Sequence, residues 1–281
     1  MKGSAMNLQG KTVLVTGGAQ GIGKGIARQS LRAGARVVIT NLDDAIGQAT
    51  EAELISLGPI RRVRVDVTDS AASAALLDDI FAREGRLDVV FANAGAGMMK
   101  RLMDCSPADV ASQFDLNYFA NLWLTQAYVR RVRERGAVGH IMYTGSENSV
   151  VMPPDNAELK MGIYGATKHA LLVTVQWLRH ELAGTGVSVS VLMPGPVLTE
   201  SLASTFNALA TADAQDPLHQ VIPPHAEKML RERFISCDEC GRIALRGLEL
   251  GLFYIPTQGY ILDDVNTRHD ELTAAFKALD L

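Results

Sequence analysis

The sequence predicts an α/β protein built on a single doubly wound parallel sheet of about seven strands, with helices on both faces. Short runs rich in Val and Ile alternate with longer helical patterns, and these runs lack the polar alternation of a half-exposed sheet. This alternation implies βαβ units with right-handed crossovers. The strand candidates are 11–16, 35–40, 61–65, 87–92, 137–143 and 187–193, with 251–256 as a seventh.

Helical patterns fill the intervals between these strands, at 21–33, 45–57, 70–84, 107–134 and 163–183. No linker, repeat or low-complexity stretch precedes residue 200, so we expect one domain over residues 1–281. The pattern from 201 to 235 is irregular and polar, with Pro217, Pro223 and Pro224. We expect this variable segment to be either a substrate cover or a surface insertion.

Composition excludes several classes of protein. A hydrophobic fraction of 47% and a charged fraction of 21% are ordinary for a soluble globular chain. The net charge of −4 leaves no basic footprint for nucleic acid. No apolar run reaches the ~20 residues of a membrane span, and the first residues lack the apolar core of a secretory signal. With only three cysteines, a disulfide framework is disfavoured, and we expect a cytoplasmic protein.

A glycine-rich turn follows the first predicted strand. Thr16 is followed by Gly17-Gly18-Ala19-Gln20-Gly21-Ile22-Gly23, which opens the first predicted helix. Glycines let the backbone turn tightly and approach a pyrophosphate closely, while the helix N-terminus offers unpaired N–H groups. The placement of this loop predicts dinucleotide binding on a Rossmann-type fold.

The Gly-x-x-x-Gly-x-Gly spacing is similar to the cofactor loop of the short-chain dehydrogenase/reductase family. Three more motifs resemble that family in the same order: Asn93-Ala94-Gly95, the pair Tyr164-x-x-x-Lys168, and Pro194-Gly195-Pro196-Val197-Leu198-Thr199. The resemblance covers roughly residues 7–200. It implies an oxidoreductase that transfers a hydride between a nicotinamide cofactor and a secondary alcohol or ketone.

The resemblance also implies roles for individual residues. Tyr164 would be the general acid/base, Lys168 would tune it and hold the ribose, Ser146 would bind the substrate oxygen, and Asn117 would position a water relay. Tyr164 and Lys168 share one helix face because they are four positions apart. The implied cofactor-binding residues are Gly17, Gln20, Gly21, Ile22, Gly23, Asn41, Asp66, Val67, Asn93, Ala94, Gly95, Tyr164, Lys168, Pro194, Gly195, Val197 and Thr199.

The serine departs from the family spacing. That serine usually lies about a dozen residues before the tyrosine, whereas Ser146 lies eighteen positions before Tyr164. We align Ser146 with the family serine and place an insertion within residues 147–160. Ser149 is the first alternative, and Thr144 is a weaker one.

The proposed chemistry requires Tyr164 to lose its proton near neutral pH. A free phenol has a pKa of about 10, and the charges of Lys168 and of an oxidised nicotinamide favour the phenolate. A decrease of ~2–3 pKa units corresponds to about 3–4 kcal/mol of differential stabilisation. We therefore expect a lowered pKa that suits general-base catalysis.

The turn after the second strand predicts NAD rather than NADP. An acidic residue there binds the ribose hydroxyls, whereas Arg accommodates the 2′-phosphate. Thr40-Asn41-Leu42-Asp43-Asp44 contains no Lys or Arg, and Asn41 retains the ability to bind a ribose hydroxyl. Gln20 stands where some NADP-dependent relatives carry a basic residue.

The pocket walls predict an apolar substrate. Residues 147–160 and 201–235 should supply the walls and cover, and they favour a hydrophobic or aromatic secondary alcohol. Their apolar residues are Met152, Pro153, Pro154, Leu202, Phe206, Leu209 and Met229. The resemblance further implies a homodimer or homotetramer with contacts through the helices at 107–134 and 163–183. Trp177 is expected either in the core or at this subunit interface.

Other interpretations receive less support. Cys237 and Cys240 lack the second pair that a zinc site requires, and Ser236 with Glu239 indicates a capped helix start. A sensor that binds the dinucleotide without turnover would commonly lack Tyr164 or Lys168. A lyase or epimerase on the same scaffold remains the third alternative, disfavoured by the intact glycine loop.

Overall fold

A computed structural model describes residues 6–153, 158–211 and 222–281. Seven parallel strands form the main sheet in the order β3-β2-β1-β4-β5-β6-β9, which confirms the predicted doubly wound architecture. The strands are β1 (Thr12–Val15), β2 (Arg36–Asn41), β3 (Ile60–Arg64), β4 (Val89–Ala92), β5 (Gly139–Thr144), β6 (Val187–Met193) and β9 (Tyr254–Pro256). Two further short strands, β7 (Val197–Leu198) and β8 (Ile235–Ser236), pair with each other beside it.

Helices connect the strands and cover the sheet. They are α1 (Gly21–Arg32), α2 (Asp44–Leu54), α3 (Ser70–Glu84), α4 (Pro107–Phe114), α5 (Ala120–Glu134), α6 (Gly162–Glu181), α7 (Glu200–Thr211), α8 (Pro224–Arg233), α9 (Cys237–Glu249) and α10 (Ile261–Ala278). Ser236 accepts a hydrogen bond from the Glu239 amide and caps α9, as predicted. None of the helices in the described ranges combines the length and apolarity needed to cross a bilayer.

The central strands are buried on both faces because alternate side chains enter two separate hydrophobic clusters. In β1, Leu14 belongs to the cluster beneath α3, α5 and α6, whereas Val13 and Val15 belong to the cluster beneath α1 and α9. This double burial explains why the sequences of β1 and β4 are continuously apolar. Because the strands are parallel, their carboxyl ends lie at one edge of the sheet.

The predicted helix over 107–134 is interrupted. A π turn at Asp115–Phe119 joins α4 to α5. In the wider turn, the carbonyl of Asn117 accepts a hydrogen bond from the Asn121 side chain at 2.8 Å. Such turns insert one residue into a helix and often mark functional sites, and here the turn carries Asn117.

The segment expected to be irregular contains α7 and α8 instead. Their buried side chains form a third hydrophobic cluster with Leu159, separate from the two that flank the sheet; the cluster comprises Leu159, Phe206, Leu209, Ile222, Ala226 and Leu230. Pro224 at the first position of α8 starts that helix rather than breaking it. Pro154 and Pro217 lie outside the described residues. Trp177 is 68% exposed, so the core alternative for this residue is wrong.

Candidate active site

A cleft of about 850 Å³ opens at the carboxyl ends of β1, β2, β4, β5 and β6. This edge is where ligands bind in doubly wound sheets. Every predicted site residue lines the cleft except Gly23 and Asn117, which are buried beside it. Within the described part of the lining, the charged residues are Asp66, Glu147, Lys168 and Glu200.

The glycine loop leaves space beside its backbone that side chains at the glycine positions would occupy. Gly17 and Gly21 have φ angles of +61° and +54°, in the left-handed region that glycine adopts without strain. A Cβ at Gly23 would lie 2.2 Å from the Gly17 carbonyl oxygen, so no side chain fits there. The loop leads into the N-terminus of α1, and this combination fits a pyrophosphate.

The Asn-Ala-Gly segment after β4 holds the glycine loop in place. The Thr16 hydroxyl accepts hydrogen bonds from the backbone amides of Asn93 and Ala94 at 2.9 and 3.0 Å. In return, the Asn93 side chain donates to the Thr16 carbonyl at 3.1 Å. These bonds connect the ends of the adjacent strands β1 and β4, so the two motifs form one rigid unit.

The opposite end of the cleft contains the residues predicted to contact the adenosine. The Asp66 carboxylate accepts hydrogen bonds from the Thr68 hydroxyl and amide at 2.7 and 2.9 Å, which hold its pKa below the ordinary value. Asn41 donates to the Asp43 carbonyl at 2.9 Å. The pairing of β2 with β3 sets Arg64 opposite Asn41, and Arg64 donates to the Leu42 carbonyl at 3.1 Å. The guanidinium of Arg64 therefore lies beside the turn at residues 40–44, although the turn itself contains no Lys or Arg.

Ser146 and Tyr164 both line the cleft, and hydrogen bonding by the Ser146 side chain lowers the pKa of the phenol. The Ser146 hydroxyl also accepts a hydrogen bond from the Asn148 amide at 3.2 Å. The alternatives face other partners. The Ser149 hydroxyl accepts a hydrogen bond from the Ser146 amide at 3.0 Å, and the Thr144 hydroxyl donates to Asn93 at 3.0 Å. The insertion thus leaves Ser146, and not Ser149, against the tyrosine.

Lys168 is buried on the same face of α6 as Tyr164. Its ammonium lies 5.6 Å from the centre of the Tyr164 ring and donates to the Thr144 carbonyl at 2.8 Å. Burial lowers the pKa of Lys168 to about 8, so the side chain still carries its charge at neutral pH.

Asn117 is brought close to this pair but contacts neither member directly. Its side chain bonds to the amide and the carbonyl of Ala96, both at 3.0 Å, and donates to the Thr167 hydroxyl at 3.2 Å. It therefore fixes the loop after β4 against α6, one residue from Lys168.

In the chain without a bound cofactor, the pKa of Tyr164 is raised, so the expected decrease in the presence of an oxidised nicotinamide stays a prediction. Burial raises the pKa of Tyr164 to about 12, the hydrogen bond from Ser146 lowers it, and the nearby carboxylate of Glu147 raises it. The desolvation of the phenolate outweighs the stabilisation provided by its neighbours. A lowered pKa at this position would require the additional positive charge of an oxidised nicotinamide.

The Pro-Gly segment after β6 is connected to the C-terminal part of the chain. The Gly195 amide donates to the Gln258 side chain at 2.9 Å, and Gln258 donates to the Pro196 carbonyl at 2.9 Å. Thr199 contacts the glycine loop, since a Cβ at Gly21 would lie 3.1 Å from its methyl carbon. Thr199, one of the predicted cofactor-binding residues of this segment, thus lies against the glycine loop.

The substrate end of the cleft has an apolar lining. Of the seven expected wall residues, Leu202 lines the cleft, while Phe206 and Leu209 are buried in the third cluster. The predicted wall segments 147–160 and 201–235 also supply lining residues that were not named individually: Leu159, Ile222 and Leu230. The apolar lining residues outside those segments, which sequence reasoning missed, are Met99, Leu116 and Met161.

Glu147 is a further residue that sequence reasoning missed. It follows Ser146 directly, is 6% exposed, and lines the cleft beside Tyr164. Its carboxylate accepts a hydrogen bond from the Tyr260 hydroxyl, which precedes α10. Its position directly after Ser146 is the sequence signal that could have identified it.

Comparisons with known proteins identify the family of this chain. The family model for short chain dehydrogenase matches residues 11–210. A 1-deoxy-11-beta-hydroxypentalenate dehydrogenase of Streptomyces avermitilis is 39% identical over 72% of this chain and 76% of its own. A sorbitol dehydrogenase of Cereibacter sphaeroides is 31% identical over 68% and 72%. A short chain dehydrogenase/reductase from Burkholderia phymatum, solved in complex with NAD, superposes with a TM-score of 0.83 at 26% identity, covering 96% of both chains.

Proposed function

Because this chain belongs to the short-chain dehydrogenase/reductase family, we propose that it interconverts a hydrophobic secondary alcohol and its ketone with NAD. The observation that carries this proposal is that Ser146, Tyr164 and Lys168 line one cleft, with the buried ammonium of Lys168 5.6 Å from the centre of the Tyr164 ring. A phenol, a hydroxyl and an ammonium in one cleft can exchange a proton with a substrate oxygen.

In the proposed mechanism, the bound nicotinamide supplies the hydride chemistry. Tyr164 removes the hydroxyl proton of the alcohol during oxidation and returns it during reduction. Ser146 donates a hydrogen bond to the substrate oxygen and stabilises the charge that develops there. Lys168 holds a positive charge near the phenol, and Asn117 orients the loop through which a water relay would reach solvent.

The apolar substrate end supports a hydrophobic substrate. Met99, Leu116, Met161, Ile222 and Leu230 line the same cleft as Tyr164. Such a lining buries hydrocarbon favourably, at roughly 25 cal/mol per Å² of apolar surface. A sugar would leave most of its hydroxyls without partners there. Residues 147–160 and 201–235 are proposed to form the wall and cover.

The preference for NAD is supported by the adenosine end of the cleft. The described residues that line it include Asn41 and Asp66 but no arginine or lysine. Arg64 is the specific observation that favours the alternative, NADP, since it lies beside the turn and bonds to Leu42. NAD should therefore give the higher kcat/KM, and Arg64→Ala should lower only the activity with NADP.

Two exposed patches support the proposal of a homo-oligomer; the cytoplasmic location is proposed from the sequence alone. Phe119 and Trp123 stack at the start of α5, each 38% exposed, and Val173 and Trp177 on α6 are 64% and 68% exposed. These are the two helices through which family members are expected to associate. Sedimentation of the purified protein would measure the assembly.

The deciding experiment follows the absorbance of the reduced nicotinamide with NAD, then NADP, across a panel of secondary alcohols. Turnover that disappears in Tyr164→Phe, while NAD binding measured by calorimetry persists, is the expected result. NAD binding without turnover of any alcohol or ketone would favour the sensor. Chemistry on a substrate without net reduction of NAD would favour a lyase or epimerase.

A further inference from the structure

The N-terminus of α1, where the proposed function has the pyrophosphate bind, already holds a carboxylate. Glu200 accepts a hydrogen bond from the Gly21 amide at 2.7 Å, although the two residues are 179 positions apart. Its other oxygen lies 3.8 Å from the Lys24 ammonium. Gly21 is the first residue of the helix, so its amide is one of the donors that no helical carbonyl can satisfy.

A carboxylate at this position resembles a phosphate group in its negative charge and in the oxygen atoms that accept hydrogen bonds. Helix N-termini attract anions because their free amides and the helix dipole both favour negative charge. One amide cannot donate a full hydrogen bond to two anions, and like charges within a few ångströms repel each other. The pyrophosphate and the Glu200 carboxylate therefore exclude each other at the Gly21 amide.

We infer that Glu200 is an internal ligand of the glycine loop that the dinucleotide must displace, so that this residue sets the affinity for the cofactor. The inference rests on the proposed function, because it assumes a dinucleotide at this loop. The side chain of Glu200 is 57% exposed, so rotation into solvent is open to it. Displacement then has a cost that weakens cofactor binding.

Glu53 provides a matched control. It lies 2.7 Å from the same Lys24 ammonium and has a similar exposure of 48%, but its recorded bonds go to Lys24 and Arg28 rather than to Gly21. Glu53→Gln removes one negative charge from the same surroundings without releasing the Gly21 amide. It separates a general change in charge from loss of the internal ligand.

Calorimetric titration with NAD and with ADP-ribose tests the inference on the full chain. Glu200→Gln and Glu200→Ala should bind both ligands about 3- to 30-fold more tightly than the unmodified protein, and Glu53→Gln should change affinity by less than about twofold. Thermal melting of each variant checks that it is folded.

Three results would overturn the inference. Unchanged or weaker binding by both Glu200 variants would show that the carboxylate does not compete. An equal gain in Glu53→Gln would assign the effect to overall charge. If the unmodified protein also fails to bind NAD, both the proposed function and this inference are overturned. If the unmodified protein binds NAD, a negative result with the Glu200 variants overturns this inference alone.

Discussion

The catalytic end of the cleft and the proposed substrate cover are built in different ways. Ser146 follows a central strand, and Tyr164 and Lys168 lie on α6, which packs on the same sheet. The proposed cover, α7 with α8, packs around a third cluster with six buried residues in the described part of the chain. The proposed catalytic residues are thus positioned by the sheet and its helices. In the proposed function, substrate selectivity would instead depend on a cluster that is separate from the sheet.

Two phenylalanines of equal burial test this comparison most strongly. Phe91 in β4 is 1% exposed, and Phe206 in α7 is 2% exposed with its ring 5.2 Å from that of Phe234. Phe91→Ala should lower the free energy of unfolding by about 3–5 kcal/mol, as expected for a large cavity in a core. Phe206→Ala should lower it by much less, because the cover can open locally.

Urea unfolding and steady-state kinetics measure the two effects. Phe206→Ala should raise KM for the best alcohol by roughly tenfold, about 1.4 kcal/mol of binding, while KM for NAD stays within twofold. If Phe206→Ala destabilised the whole chain as much as Phe91→Ala, the cover would be part of the same cooperative unit and the contrast would be wrong.

Ser146 and Ser149 sharpen the comparison within the catalytic end. Ser146→Ala should lower kcat by about 10²–10³-fold, or about 2.7–4 kcal/mol, because it removes a donor to the substrate oxygen. Ser149→Ala should instead lower stability by about 1–3 kcal/mol, since it leaves the buried Ser146 amide without its acceptor. Comparable losses of kcat at equal stability in the two variants would contradict this division of roles.

His140 lies in β5, away from the cleft, and its protonation should affect the stability of the sheet. Its ring nitrogens are 2.8 Å from the hydroxyls of Ser188 and Ser190, and burial lowers its pKa to about 4. The unfolded chain, with a His pKa of about 6.5, binds a proton that the folded chain does not bind, so stability falls as pH falls from about 6.5 to about 4.

Between pH 7 and pH 5 this group should therefore decrease the free energy of unfolding by about 2 kcal/mol. Glutamine does not titrate, so the free energy of unfolding of His140→Gln, measured with urea, should differ between the two pH values by about 2 kcal/mol less than that of the unmodified protein. Parallel losses in the variant and the unmodified protein would show that other groups control acid stability.

Glu147 should produce the smallest effect. Its charge raises the pKa of Tyr164, so Glu147→Gln should move the acid limb of alcohol oxidation downward by up to about one pH unit, or about 1.4 kcal/mol. Tyr260→Phe removes the hydrogen bond but keeps the carboxylate, so its profile should not move downward. A pH profile of kcat/KM that is the same for Glu147→Gln and the unmodified protein would remove Glu147 from this role.

Much of the fold and the glycine loop could be predicted from the sequence because the signals are local. β-branched runs, helix caps and the spacing of Tyr164 and Lys168 depend on neighbouring residues, and the strand order follows from βαβ connections. The features that the sequence did not show depend on distant partners. The raised pKa of Tyr164 in the chain without a cofactor comes largely from burial, and the apolar lining is assembled from separate segments.

The sequence by itself determined the doubly wound sheet, the glycine loop and the residue types of the proposed proton transfer. The sheet follows from the alternation of apolar strands and helices, and the loop and the Tyr164–Lys168 pair are each encoded by a few neighbouring residues. Only the tertiary structure decided that Ser146 rather than Ser149 meets Tyr164, that Arg64 lies beside Asn41, and that Glu200 occupies the Gly21 amide. Each of these contacts joins segments that are far apart in the chain. Such contacts exist only once the strands are in register and the helices packed, because packing alone brings those side chains within hydrogen-bonding distance.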